Sequence, residues 1–171
     1  MDDQKLENGK YIVFTLNRKA LIADKENLGN MISAMNKAAG NTPIIAVLRN
    51  NAKEVVSQLT ADMADIHIID SLPYLEFGYL TAHAMGIITD SGNVAEEATF
   101  NNVPCITLNS YTEHIETVKQ GSNILVGEDA DKLETAIKDM TGNNWKKCSL
   151  PDRWDGRTAE RIIHILLNMP G

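Results

Sequence analysis

The chain has 171 residues, of which 43% are hydrophobic and 23% charged, a composition typical of one globular domain. The net charge of −7 argues against a nucleic-acid or anionic-membrane surface, because both partners favour Lys and Arg. No apolar stretch reaches the length of a membrane span, and the acidic, polar N-terminus is not a secretory signal. We expect a cytoplasmic protein with a flexible lead over residues 1–9 and a folded domain over residues 10–168.

Apolar runs of strand length alternate with helical patterns along the whole chain. Several runs are continuously apolar, as is typical of parallel strands covered on both faces. The predicted strands cover residues 11–16, 44–48, 66–69, 86–89, 104–108 and 124–126. The predicted helices cover residues 25–39, 52–61, 73–84, 94–101 and 129–140. The pattern over residues 112–121 is ambiguous and is interpreted as a loop followed by a short helix. This order predicts an α/β fold with a doubly wound, mostly parallel, six-stranded Rossmann-like sheet.

The last segment has the clearest helical periodicity of the chain. Its apolar residues fall on one face of a helix, with Asp155 as the predicted N-cap. These apolar residues are Ala159, Ile162, Ile163, Leu166 and Leu167.

The segment 86–100, GIITDSGNVAEEATF, predicts a strand, a tight turn and a helix start in succession. Such a junction directs backbone N–H groups and the positive end of the helix dipole at one spot, where a phosphate fits. Ser91 adds a hydroxyl donor, Gly92 allows close approach, and Glu97 could accept hydrogen bonds from sugar hydroxyls. The pattern favours a nucleotide site, although the same residues also cap helices in α/β proteins that bind no ligand.

Other candidates follow the remaining strands. Arg18 comes directly after the first strand and could meet a phosphate, or it is a solvated charge. Phe77 opens the helix before the phosphate-site strand and could stack on a base, or it packs in the core. His114 lies between two carboxylates in sequence and could act as a general base, or it belongs to an exposed loop.

The sequence gives no indication of a cofactor or a metal. It contains no GxGxxG fingerprint and no Walker-type phosphate loop. No two histidines have metal-ligand spacing. Cys105 lies in a strand-like run and is expected to be a buried thiol, whereas Cys148 is in a polar loop.

Five ordered motifs make the chain resemble the C-terminal half of the non-hydrolysing UDP-N-acetylglucosamine 2-epimerases. The resemblance runs from about Lys10 to Leu167. The motifs are YIVFTLNR (11–18), LPYLEFGYL (72–80), TDSGNVAEEATF (89–100), TEHIETVKQGSNILVG (112–127) and WDGRTAERIIHIL (154–166).

The resemblance implies one half of a glycosyltransferase-B-like fold, in which two Rossmann-like domains face each other across a cleft. It implies interconversion of UDP-GlcNAc and UDP-ManNAc by elimination and re-addition of UDP, with no cofactor and no metal. In the family the C-terminal domain mainly holds UDP. By this resemblance Phe77 lies near uracil, Ser91 and Gly92 hold phosphate, and Glu97 binds the ribose; the site also includes Arg18, Asn93 and His114.

The chain departs from the family pattern in two ways. It lacks the N-terminal domain, which in the family carries the carboxylates assigned to acid–base work. Asn17 stands where the family has His, and His114 where it has Arg; Asn93 replaces Gly, Ile115 replaces Pro and Asn109 replaces an Arg. Asn cannot carry a proton or a positive charge, so catalytic residues are not assigned with certainty, His114 being one candidate.

The leading hypothesis is the UDP-binding domain of such an epimerase, inactive without its N-terminal half. Two alternatives stay open: a non-catalytic module that binds nucleotide sugars, and the donor-binding half of a glycosyltransferase. The expected partners are UDP or a UDP-N-acetylhexosamine and the missing N-terminal domain. A homodimer is a further partner that the resemblance suggests.

Overall fold

The computed structural model describes residues 6–169. Within them the chain forms six short strands and eight helices. The strands are β1 (Ile12–Phe14), β2 (Ile44–Val47), β3 (Ile66–Ile69), β4 (Gly86–Thr89), β5 (Cys105–Thr107) and β6 (Asn123–Leu125). The helices are α1 (Lys19–Ala23), α2 (Lys25–Ala39), α3 (Asn50–Leu59), α4 (Tyr74–Ala82), α5 (Gly92–Phe100), α6 (Ile115–Lys119), α7 (Ala130–Thr141) and α8 (Thr158–Leu167).

The strands form one sheet in the order β3-β2-β1-β4-β5-β6, and all five pairings are parallel. This is the doubly wound order, and it confirms the fold predicted from the alternating pattern. The strand order reverses between β1 and β4. Ligands of such sheets bind in the crevice outside the carboxyl ends of the strands at this switch point.

Both faces of the sheet are covered, which explains why the strands are continuously apolar. Successive residues of a strand point to opposite faces, so Ile12 and Phe14 join one core cluster while Tyr11 and Val13 join the other. Cys105 is fully buried in the second cluster, and burial raises the pKa of its thiol to about 12. The expectation of a buried thiol at this position is confirmed.

One local feature differs from the prediction. The five-residue helix α1 was not predicted, because it is too short to produce a periodic pattern. The stretch 112–121 forms a loop followed by the short helix α6, and this prediction is confirmed.

The predicted N-cap of the last helix was wrong by two residues. Helix α8 begins at Thr158 with Arg157 as N-cap. Asp155 lies just before the helix, where its carboxylate accepts a 3.1 Å hydrogen bond from the backbone N of Arg157. The same carboxylate is bound by the guanidinium of Arg161 at 2.6 and 2.8 Å, which holds the pKa of Asp155 well below its usual range.

Helix α8 has the predicted amphipathic sequence, but none of its residues is buried. Its large apolar side chains remain between half and four-fifths exposed, whereas α2, α3 and α7 each bury at least three residues. No helix within residues 6–169 has the length and apolarity needed to cross a membrane. Residues 1–5 of the predicted flexible lead lie outside the described part, and the predicted division at residue 10 stays a prediction.

Candidate functional site

A cleft of about 330 Å³ opens at the carboxyl edge of the sheet, between the ends of β1 and β4. It is lined in part by Asn17, Arg49, Leu72, Phe77, Ser91 and Val94. A second depression beside it is lined by Arg18, Asp90, Asn109 and Tyr111, and it shares Asn17, Arg49 and Ser91 with the cleft. Residues from three of the five sequence motifs therefore meet at the switch point.

Asp90 joins the turns that follow β1 and β4. Its carboxylate accepts hydrogen bonds from the backbone N of Asn17 at 2.7 Å and of Arg18 at 2.5 Å. Beneath this contact, the buried hydroxyls of Thr15 and Thr89 lie 2.7 Å apart within hydrogen-bonding distance. Charge-assisted bonds to backbone N–H groups are among the strong hydrogen bonds of proteins. The positions of Asn17 and Arg18 are therefore fixed by the motif around Asp90.

The guanidinium of Arg18 is already engaged by protein groups. It donates to the Glu128 carboxylate and to the side-chain oxygen of Asn109. Asn109 in turn donates to the backbone oxygen of Asp90 at 3.2 Å. The Arg18 side chain remains about one-third exposed, so its charge still faces the depression.

The segment 86–100 forms the predicted strand, turn and helix start. Ser91 is the N-cap of α5, and its side chain makes no capping hydrogen bond. The first N–H groups of a helix have no acceptor within the helix, so those of Gly92 and Asn93 are available to an anion. The side chain of Asn93 is exposed.

Gly92 allows the ring of His114 to approach the start of α5. A Cβ atom at position 92 would lie 2.9 Å from Cδ2 of His114 and 3.2 Å from its Nε2, closer than normal packing allows. The absence of a side chain at position 92 therefore places the imidazole of His114 beside the helix N-terminus. The sequence suggests Gly92 only as a residue that admits a ligand, and this second role became visible in the fold.

Glu97 and Phe77 lie on the side of the cleft nearer to α4. The carboxylate of Glu97 accepts a 3.1 Å hydrogen bond from the hydroxyl of Tyr74, which raises the pKa of that phenol. Phe77 packs against the second core cluster and also lines the cleft. Both interpretations given for Phe77, core packing and base stacking, are therefore compatible with its position.

The model of the family described as UDP-N-acetylglucosamine 2-epimerase matches residues 1–167. The chain belongs to this epimerase family. One relative, the UDP-N-acetylglucosamine 2-epimerase of Methanocaldococcus jannaschii, is 36% identical over 165 residues, covering 91% of this chain and 44% of the relative. A UDP-N-acetylglucosamine 2-epimerase homolog of Methanococcus maripaludis is 31% identical over 175 residues, covering 99% of this chain and 48% of the relative. The chain thus spans slightly less than half the length of these epimerases.

Solved structures of the epimerase family have the same fold. The M. jannaschii UDP-GlcNAc 2-epimerase superposes with a TM-score of 0.79 at 34% identity, covering 95% of this chain and 46% of that protein. A second structure of the M. jannaschii epimerase, solved in complex with UDP-GlcNAc and UDP, has a TM-score of 0.73 at 36% identity, covering 92% of this chain and 45% of that protein. The resemblance stated from the motifs is confirmed, and the chain has the fold of one half of a glycosyltransferase-B-like protein.

Three residues at the carboxyl edge of the sheet were not predicted from the sequence. Arg49 follows β2 and adds an exposed positive charge to both depressions. Its position directly after an apolar strand is a signal that could have identified it. Asp90 lies in the predicted tight turn and Glu96 in the predicted helix 94–101, and neither pattern indicates a contact with another element.

The carboxylates around the His114 ring in the structure differ in part from those that neighbour it in sequence. The Nδ1 atom lies 3.0 Å from a carboxylate oxygen of Glu96 on α5, and Glu116 offers a second carboxylate to the same group. Glu113, the residue before His114, is exposed. The carboxylate that touches the imidazole therefore comes from a residue 18 positions earlier, which adjacency in sequence cannot reveal.

Proposed function

We propose that this chain is the UDP-binding half of an enzyme that interconverts UDP-GlcNAc and UDP-ManNAc. The match of the family model over residues 1–167 carries the proposal. The M. jannaschii relative solved with UDP-GlcNAc and UDP supports the choice of ligand. In this proposal the diphosphate lies at the N-terminus of α5, against the N–H groups of Gly92 and Asn93 and the hydroxyl of Ser91.

Complementary chemistry surrounds that position. Arg18 and Arg49 place two positive charges at the same edge, which favours a diphosphate. Phe77 lies where a uracil ring can stack, and Glu97 can accept hydrogen bonds from ribose hydroxyls. The Tyr74 hydroxyl, bonded to Glu97, holds that carboxylate in place.

The proposed partner is the N-terminal half of the same enzyme. Proton removal at C2 needs groups on both sides of the sugar, because proximity and orientation supply much of the rate. Asn17 stands at the position of the family His and cannot exchange a proton. The isolated chain is therefore expected to bind UDP without turning over UDP-GlcNAc.

Asn17 also supports a second candidate, a non-catalytic module that binds nucleotide sugars. The two candidates differ in the two-domain protein, where an enzyme exchanges the C2 proton and a module does not. If Asn17→His creates activity that the native two-domain protein lacks, the module is favoured. Activity of the native two-domain protein would reject it.

Calorimetric titration with UDP and UMP tests the ligand. We expect saturable UDP binding, stronger than that of UMP because UMP lacks the second phosphate. Phe77→Ala should weaken UDP binding by about 1–3 kcal/mol, the contribution of base–aromatic stacking. Phe100→Ala is the matched control, since Phe100 is 62% exposed at the far end of α5, and it should leave the affinity unchanged.

Two results would contradict the proposed UDP site. One is a folded protein that shows no saturable UDP binding up to about 10 mM, a concentration that detects even the weakest specific ligands. The other is equal loss of affinity in the Phe77 and Phe100 variants, which would place the base elsewhere.

A further inference from the structure

Glu96, His114 and Glu116 form a cluster, called here the Glu–His–Glu cluster, beside the N-terminus of α5. Each of the three residues offers one ligand atom, and these atoms lie within 4.8 Å of one another. The three side chains come from α5, the residue before α6, and α6 itself. All three are partly exposed, so an ion from solvent can reach them.

The ligand set suits a borderline divalent cation such as Zn²⁺. Zn²⁺ is bound by imidazole nitrogen and by carboxylate oxygen, and three protein ligands leave a fourth position open. In a tetrahedral zinc site the ligand atoms are about 3.3–3.6 Å apart, given bonds of about 2.0–2.2 Å. Small rotations of the two long glutamate side chains bring the cluster to this spacing.

The negative charge of the cluster also favours the binding of a cation. Within residues 6–169 neither Glu96 nor Glu116 forms an ion pair with Lys or Arg. Two carboxylates beside a phosphate site oppose the binding of a diphosphate. A divalent cation neutralises them and restores the positive charge that the family Arg supplies at position 114.

A buried chain of hydrogen bonds holds the cluster in position. The Thr107 hydroxyl donates to Asn123 at 2.7 Å, Asn123 donates to the Thr117 hydroxyl at 3.2 Å, and that hydroxyl donates to the backbone oxygen of His114 at 2.7 Å. Thr117 and Asn123 are fully buried. The backbone at His114 is thereby fixed to β5 and β6, and a preformed backbone reduces the ordering needed when a ligand binds.

We propose that the Glu–His–Glu cluster binds a divalent cation of the zinc type through Nδ1 of His114 and the carboxylates of Glu96 and Glu116. Coordination at Nδ1 leaves the proton of the neutral ring on Nε2. The Nε2 side of the ring faces Gly92, so this N–H points to the start of α5. In the absence of the cation, an Nδ1–H that donates to Glu96 leaves Nε2 as an acceptor, which a phosphate does not favour.

The cation site stands on the cluster alone, whereas its effect on UDP rests on the proposed function. The first experiment therefore contains no nucleotide. Calorimetry with ZnCl₂ and visible absorption with Co²⁺ are recorded on protein without a histidine tag. We expect one saturable site, with Glu96→Gln and Glu116→Gln each weakening Zn²⁺ binding at least about 10- to 100-fold, the loss that even outer-sphere partners cause.

Glu113→Gln is the matched control, because it removes the same charge from an exposed residue of the same loop. It should change Zn²⁺ affinity less than about twofold. The proposal is overturned by the absence of saturable binding, by unchanged affinity in both cluster variants, or by an equal loss in the control. Circular dichroism of each variant establishes that the chain remains folded.

A second experiment tests the coupling to UDP. Zn²⁺ should raise UDP affinity in the native protein more than in Glu116→Gln, a comparison that removes the effect of Zn²⁺ bound by UDP in solution. His114→Arg should abolish Zn²⁺ binding and make UDP binding independent of Zn²⁺. Zn²⁺ binding without any UDP binding would contradict the proposed function and leave the cation site intact; UDP binding without Zn²⁺ binding would do the reverse.

Discussion

Single residues at the carboxyl edge of the sheet fix one another's positions through hydrogen bonds. Asp90 fixes the backbone of Asn17 and Arg18, and Arg18 is itself bound by Glu128 and Asn109. Asn109 replaces a cation of the family pattern, yet it supports the cation that remains. The substitutions that weaken the positive charge of the edge therefore do not loosen its structure.

Asp90→Ala should lower both stability and UDP affinity. It leaves the backbone N–H groups of Asn17 and Arg18 without their carboxylate, and water replaces it only in part because Asp90 is half-buried. We expect a loss of about 1–2 kcal/mol in the free energy of unfolding, measured with urea, and a weaker UDP complex measured by calorimetry.

Asp62→Ala is the control for this change, since Asp62 lies in an exposed turn before β3. Its unfolding free energy should stay within about 0.5 kcal/mol of the native value. If Asp90→Ala were as stable as Asp62→Ala, the hydrogen bonds to Asp90 would not contribute to the free energy of unfolding.

The described part of the chain leaves the apolar side chains of α8 uncovered, and α8 has no buried residue. Ile163 is 58% exposed and Leu167 is 80% exposed. A contiguous exposed apolar surface marks an interaction site. The chain spans slightly less than half of the relatives it matches, and under the proposed function the N-terminal half is expected to cover this helix.

The substitution Ile163→Glu separates that role from a role in the fold. In the isolated chain it should shift the melting temperature by less than about 2 °C, because the side chain already faces solvent. In the two-domain protein it should weaken contact with the N-terminal half, measured as a lower melting temperature or as lost activity.

Ile137→Glu on α7 is the matched control for the same change at a fully buried position. It places a carboxylate in the core and should unfold the isolated chain. If Ile163→Glu destabilised the isolated chain as strongly, α8 would belong to the core of this domain. An unchanged two-domain protein would assign the apolar face to another partner.

At the scale of the whole molecule, the cleft would form one wall of the proposed UDP site. Its residues can hold a nucleotide, but the described residues surround it from one side of the sheet edge only. Binding and chemistry are therefore expected to separate in this family member, since binding requires the groups at α5 whereas proton transfer at C2 requires an opposing domain.

Exchange of the C2 proton of UDP-GlcNAc in D₂O, followed by NMR, measures this separation. The isolated chain should bring about no exchange above the buffer control. Co-expression with the N-terminal half of the M. jannaschii relative should produce exchange and UDP-ManNAc. Turnover by the isolated chain would contradict the separation of binding from proton transfer. A folded two-domain complex that binds UDP but stays inactive even with Asn17→His would also contradict it.

Local patterns in the sequence determined the fold and most of the candidate site. Continuous apolar strands report burial on both faces, and their alternation with helices leaves the doubly wound sheet as the simplest arrangement. Ser91, Gly92 and Glu97 could be selected because a strand, a turn and a helix start follow one another within 15 residues. The positions of Arg18, Phe77 and His114 along the predicted elements nominated these residues, and family resemblance then added Asn93.

Only the tertiary structure decided which side chains touch across elements. Glu96 contacts His114 because α5 and α6 pack side by side. Asp90 binds the backbone of Asn17 because β1 and β4 are neighbours in the sheet, although the two residues are 73 positions apart in sequence. It also left the apolar face of α8 exposed, although periodicity alone predicts a packed helix. Periodicity reports which face of an element is apolar, whereas contacts between elements depend on strand order and packing, which a single sequence does not encode locally.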